Sequence, residues 1–152
     1  MKEVTANCVG EVLHLFRSLV HGEPVREFDE ILAVENKGFK DCIHGRTGST
    51  RQVLLMDLET LEEFGIAPGR AKENITTRGI ELDALALGER LRIGGALFEV
   101  TQPCTPCHHM DEIRAGLKQA IRGRRGLLCR VIKPSSIRRG DRIEIAGREC
   151  VP

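Results

Sequence analysis

Residues 91–100, Leu91-Arg92-Ile93-Gly94-Gly95-Ala96-Leu97-Phe98-Glu99-Val100, decide the fold. Leu91-Arg92-Ile93 alternates apolar with charged, and Phe98-Glu99-Val100 does the same. A period of two puts apolar side chains on one face of a strand and charges on the other. Gly94-Gly95 supplies the positive φ that a two-residue turn between twisted strands requires. The segment is therefore predicted to be a β-hairpin with one buried face.

The same pattern extends in both directions. Strands are expected at Cys8 to Phe16, at Glu30 to Glu35, at Arg51 to Met56, at Leu127 to Ile132 and at Arg142 to Ile145. Ile31-Leu32-Ala33-Val34 is continuously apolar, Arg51 to Met56 and Leu127 to Ile132 read as buried strands, and Arg142-Ile143-Glu144-Ile145 alternates and should be half exposed. Glycines separate these stretches along nearly the whole chain. Asp57 can cap a short helix over Leu58 to Phe64, ended by Gly65. Met110, Ile113, Leu117 and Ile121 recur at helical spacing, and Gly116 and Gly123 weaken or end that helix, so two short helices fit as well. About seven strands and two or three helices, without an alternating βαβ pattern, predict a mainly β fold. The architecture expected is a closed β-barrel with small helical inserts. No linker or composition shift divides the chain, so residues 1–152 are expected to form one domain.

Twenty-three basic and 22 acidic side chains leave a net charge of +1, which supplies no long-range field for nucleic acid or an anionic membrane. Without Trp or Tyr, aromatic platforms for stacked bases are also missing. The N-terminal residues are charged and polar, and no apolar run is long enough to span a bilayer, so a cytoplasmic location is expected. In that compartment the six cysteines should be reduced. Cys8, Cys129 and Cys150 read as small apolar filler.

Three clusters carry chemistry. Thr101-Gln102-Pro103-Cys104-Thr105-Pro106-Cys107-His108-His109 joins a strand to a helix, and thiols at such a junction are placed to react. Cys42-Ile43-His44-Gly45-Arg46-Thr47-Gly48-Ser49-Thr50-Arg51-Gln52 reads as an anion-binding loop, although it is not a P-loop. Glu73-Asn74-Ile75-Thr76-Thr77 places a polar pair at the entrance to an apolar strand. These residues admit three chemistries. One is a thiolate that binds a metal cofactor or transfers sulfur. The second is a zinc site from Cys42, His44, Cys104 and Cys107, making the domain a structural or interaction module. The third is a Cys104–Cys107 redox pair.

The ordered set of motifs resembles the MOSC family, named for the C-terminal domain of molybdenum cofactor sulfurases. The resemblance runs through Gly38 to His44, Arg51-Gln52-Val53-Leu54-Leu55, Pro68-Gly69 with Glu73-Asn74-Ile75-Thr76-Thr77 and Gly79, Leu87 to Gly94, Val100 to Cys107, and Gly126 to Asp141. It implies a barrel like that of pyruvate kinase and a stand-alone family member whose reactive cysteine is Cys107. In this reading Cys107 ligates the molybdenum of a pterin cofactor or accepts sulfane sulfur as a persulfide. Cys104 serves as resolving thiol or second ligand, and Cys42 as a further ligand. His44 and His108 tune the thiolate or move protons. Arg46 and Arg51, with the backbone of Gly48 and Ser49, hold a phosphate. Glu73 and Asn74 orient polar groups. The partners implied are the pterin cofactor and a sulfur donor or acceptor protein, acting with this chain as carrier or catalyst. Pyridoxal phosphate, which belongs to the fused sulfurases, is not expected in a chain without a lyase domain. Two positions depart from the family: Cys104 stands where an arginine is common, and Cys42-Ile43 intervenes before His44.

Overall fold

The structure, a computed structural model, describes residues 9–147. Its strands are β1 (Val9–Arg17), β2 (Arg26–Phe28), β3 (Glu30–Val34), β4 (Gly38–Phe39), β5 (Val53–Asp57), β6 (Ile75–Arg78), β7 (Arg90–Ile93), β8 (Ala96–Pro103), β9 (Leu127–Lys133), β10 (Ser135–Arg138) and β11 (Arg142–Ile145). Three short helices, α1 (Leu58–Glu63), α2 (His108–Ile113) and α3 (Leu117–Ala120), and a 3-10 turn at Leu82–Ala84 complete it.

The predicted hairpin is present as β7 and β8, with Ile93 opposite Ala96 and Leu91 opposite Phe98. Leu91, Ile93, Ala96, Phe98 and Val100 are buried, as their alternation requires, and Gly94 takes φ +57° at the turn. The hairpin belongs to a closed barrel. Seven strands follow one another in the order β11-β7-β8-β9-β5-β6-β1, and β1 pairs back to β11. Closure falls to β1 because it is long enough to serve three neighbours. Val9–Glu11 pair with β11, Glu11–Leu15 with β6 and Leu15–Arg17 with β2, across a bulge between Val12 and His14. A bulge lets one strand turn between partners without leaving the barrel wall.

A second sheet, β10-β3-β4, adds Ile31, Ala33, Phe39 and Ile137 to the barrel core. Within the apolar run of β3, Leu32 stands 39% exposed, because the strand faces the core on one side only. β2, β4 and β10 are two to four residues long and carry too little pattern for a sequence to reveal them.

β5 is buried on both faces. Val53 and Leu55 enter the barrel core, whereas Met56 packs outside it with Leu61, Met110, Leu117 and Ile121 under the helices. Leu54 packs outside as well, with Cys104 and Leu128. The expected cap at Asp57 is formed: its Oδ2 accepts from Thr60 N at 3.0 Å. After α1 the chain returns to β6, which runs parallel to β5, so one crossover is present where the sequence showed no βαβ signal. The apolar period over 110–121 resolves into two helices, because Gly116 takes φ +86° between them. Among the described residues no helix is long and apolar enough to cross a membrane. Cys129 sits in the barrel core, and burial pushes its thiol up to about 12. Cys8 and Cys150 lie outside the described residues.

Asn74 seams β1 to β5. Its backbone N donates to Leu54 O and its carbonyl accepts from Phe16 N, both at 2.8 Å. The side chain repeats the pattern: Oδ1 accepts from Leu54 N at 2.9 Å and Nδ2 donates to Phe16 O at 3.2 Å. Asn74→Ala leaves these buried groups unpaired, and denaturant titration should show about 2–4 kcal/mol lost. A change within 0.5 kcal/mol, the usual range for surface positions, would contradict the seam.

Candidate functional site

Outside the barrel wall, Leu54 and Leu128 form the apolar floor of a cavity of 380 Å³. Its size falls within the range of small-molecule pockets. Two segments that are distant in sequence face each other across it, the loop before β5 and the turn between β8 and α2.

The second segment brings the thiols. Cys104 is 8% exposed, and its N donates to Gly126 O at 2.8 Å. Cys107 is exposed at the N-cap of α2, and its carbonyl accepts from Met110 N. Both line the cavity as free thiols. The segment is held to β9 and the opposing loop by Thr101, whose Oγ1 donates to Leu128 O at 2.9 Å and touches Thr50 O. His108 is exposed and does not line the cavity. His109 ties α2 down instead, with Nε2 at 2.9 Å from Arg70 O.

The first segment brings basic groups: His44, Arg46 and Arg51 line the cavity, with Ser49. The loop's backbone does not take the expected part. Gly48 N donates to Asn36 O and Ser49 N to Arg46 O, both at 3.0 Å, so these donors are spent within the loop, and Gly48 does not line the cavity. An anion would have to be held by side chains. Ser49 Oγ is itself engaged by Arg51 N at 2.9 Å.

Glu73 and Asn74 prove to be framework. Glu73 is fully buried away from the cavity, with Oε2 accepting from Gly69 N at 2.9 Å and from Thr76 Oγ1 at 2.8 Å. Asn74 lines the cavity, but its amide is committed to the seam described above. Cys42 lies in the barrel core, 3.6 Å from Asn74 Nδ2, and does not reach the cavity. The four-ligand set of Cys42, His44, Cys104 and Cys107 is therefore not assembled. Among the described residues no three His, Cys, Asp or Glu side chains are placed to hold a metal ion.

Three basic side chains in the lining were not indicated by the sequence: His21, Lys72 and Arg125. His21 follows β1, its ring 6.4 Å from that of His44. Lys72 takes φ +60°, an uncommon conformation for a residue with a side chain. Arg125 lies in Arg122-Gly123-Arg124-Arg125, which reads as a solvated charge run, yet it is only 5% exposed. The one local signal was Gly126. It takes φ +111°, and a Cβ there would lie 2.4 Å from Leu55 O. The chain is thus pressed against β5 at this point, and Arg125 is carried inward with it.

Among the described residues the lining holds six basic side chains and no carboxylate. Partial desolvation of the ring, then the charges of His21, Lys72 and Arg51, hold His44 below the ordinary histidine value of 6.5. The folded state thus binds this proton less readily than the unfolded chain. The His44 contribution to stability is lost as pH falls through about 6.5.

This barrel is that of a MOSC domain, and the chain belongs to that family: the MOSC domain profile matches residues 43–144. Three solved structures share the fold. The YuaD protein of Bacillus subtilis is 18% identical with a TM-score of 0.79, covering 90% of this chain and 95% of its own. YiiM from Geobacillus stearothermophilus is 21% identical at 0.67, over 93% and 75% of the two chains. YiiM from Escherichia coli is 23% identical at 0.64, over 91% and 71%. No curated protein sequence matches significantly.

Two measurements check this site. Among the described cysteines, alkylation of the native protein should modify Cys107 first, with Cys42, Cys104 and Cys129 reacting more slowly; early labelling of Cys129 would contradict the core assignment. NMR titration in chloride should place the His44 midpoint below 6.5, and a bound dianion should move it upward. A midpoint above 6.5 without such an anion would contradict the cationic cavity.

Proposed function

We propose that this MOSC domain binds a molybdenum pterin cofactor, with the Cys107 thiolate toward the metal and the cationic wall toward the phosphate. The observation that carries the reading is the meeting, in one cavity, of an accessible thiol and six basic side chains without a carboxylate. Thiolate is a suitable ligand for a soft, sulfur-rich metal centre. Guanidinium and ammonium groups suit a phosphate dianion. The fit is supported from inside the protein by Arg125, whose buried Nε has no partner. Leu54 and Leu128 give a planar ring system an apolar surface to lie on.

When bound, the cofactor supplies two-electron redox chemistry. The protein's own share is to bind, orient and shield. Arg46, Arg51 and Lys72 draw in and orient the anionic end, and Leu54 and Leu128 exclude water below it. His44, held neutral near pH 7, is the cavity group suited to accept a proton. His108, outside the cavity, is not given this role. Cys104, beside Cys107 in the lining, favours a second reading in which Cys107 takes sulfane sulfur from a donor persulfide, leaving the donor as a thiol. Cys104 then attacks the inner sulfur, expelling hydrosulfide and forming a Cys104–Cys107 disulfide that an external dithiol reduces.

The test is elemental analysis of protein purified anaerobically from a host that makes the cofactor. Native protein should carry stoichiometric molybdenum, and Cys107→Ala should lose most of it with an unchanged circular dichroism spectrum. Full loading of Cys107→Ala would overturn the role of this thiol. Native protein without molybdenum, but with one added sulfur atom on Cys107 by mass spectrometry, would establish the sulfur-carrier reading in its place.

A further inference from the structure

Arg125 is the most deeply buried cation of the cavity, and its charge is not balanced within the described protein. Nη2 donates to Ala71 O at 2.8 Å, Nη1 reaches only Met56 Sδ at 3.7 Å, and Nε has no partner. No carboxylate pairs with it among the described residues, although its neighbour Arg124 is paired to Glu63 at 2.8 Å. A thioether is a weak acceptor, so among the described residues one neutral carbonyl is the only good acceptor for five N–H donors. Arginine does not shed its proton to escape such a position. Gly126, packed against the backbone of β5, fixes the backbone beside it. Ala71, which holds the guanidinium, leads directly into Lys72 with its positive φ, so the same short segment places a second cation in the cavity.

We infer that Arg125 is the internal anchor for a doubly charged phosphoryl oxyanion, and that the ligand completes the electrostatics of the fold: the empty protein is destabilised by Arg125, and the anion restores the balance. This rests on the proposed cofactor site and adds to it a residue and a coupling of ligand binding to stability. A buried cation left unpaired lowers stability, whereas an apolar side chain of similar length does not. A tetrahedral dianion offers the paired oxygens that a guanidinium fork recognises. Chloride does not, and added salt screens a buried pair weakly.

The experiment is thermal unfolding of the protein without cofactor at pH 7.5 in inorganic phosphate, in sulfate, and in chloride at matched ionic strength. Phosphate and sulfate should raise Tm by roughly 5–10 °C when about a hundredfold above their dissociation constants, and chloride should not. Arg125→Met should raise Tm in chloride and abolish the gain from phosphate. Arg125→Lys, which keeps the charge but not the fork, should leave Tm in chloride unimproved and show a smaller phosphate gain. No Tm rise in the native protein, or an equal rise in native and Arg125→Met, would overturn the inference. Should Arg125→Met fail to fold, the claim that Arg125 destabilises the empty protein fails with it. Inorganic phosphate carries neither pterin nor metal, so this result is independent of molybdenum loading. An anion gain without molybdenum retention overturns the cofactor and keeps Arg125; molybdenum retention without an anion gain does the reverse.

Discussion

A strand buried on both faces is the constraint on which the site depends. The inner side chains of β5, Val53 and Leu55, belong to the barrel core, and its outer ones, Leu54 and Met56, support everything laid on the outside. Only a continuously apolar run can satisfy both faces. The outer face carries the cavity floor at one position and the helix cluster at the next. It also receives Gly126, close enough that a Cβ would collide with Leu55 O. From that contact point the carbonyl of Gly126 holds Cys104, and the preceding residue is the buried Arg125.

Charge gives the cavity its character through placement rather than amount. The whole chain carries a net charge of +1, yet the lining holds six basic groups and no acidic one. Acidic side chains elsewhere engage basic partners: Glu99 pairs with Arg90 and Arg130, and Glu63 with Arg124. The cavity's basic groups are left to act together, and after the partial burial of its ring they add to the depression of the His44 proton affinity. Such an arrangement favours an anion and works against the empty state, a common compromise between stability and function.

The barrel was readable because its signals are local. Alternation in Leu91-Arg92-Ile93, the Gly94-Gly95 turn and the Asp57 cap each act within a few residues, and each is present. β2, β4 and β10 are short and depend on a neighbour for their hydrogen bonds, so they left no such trace. Within the site, Cys104, Cys107, His44, Arg46, Ser49 and Arg51 were legible because each pair of thiols or cations lies within a short run. Cys42 and Glu73 have the right chemistry but turn into the interior, and long-range packing of the loops that carry them decides that rather than residue type. Arg125 and Lys72 were invisible for the converse reason. In sequence they are ordinary members of charged stretches, and only long-range packing against β5 and Ala71 singles them out.

The central claim is that the thiol of Cys107 meets the metal of a cofactor whose phosphate lies against the cations. X-ray absorption at the molybdenum edge tests it most directly, on native protein and Cys107→Ser, each loaded with the cofactor. The account predicts one fewer sulfur neighbour around molybdenum in the variant. An unchanged sulfur count would contradict it.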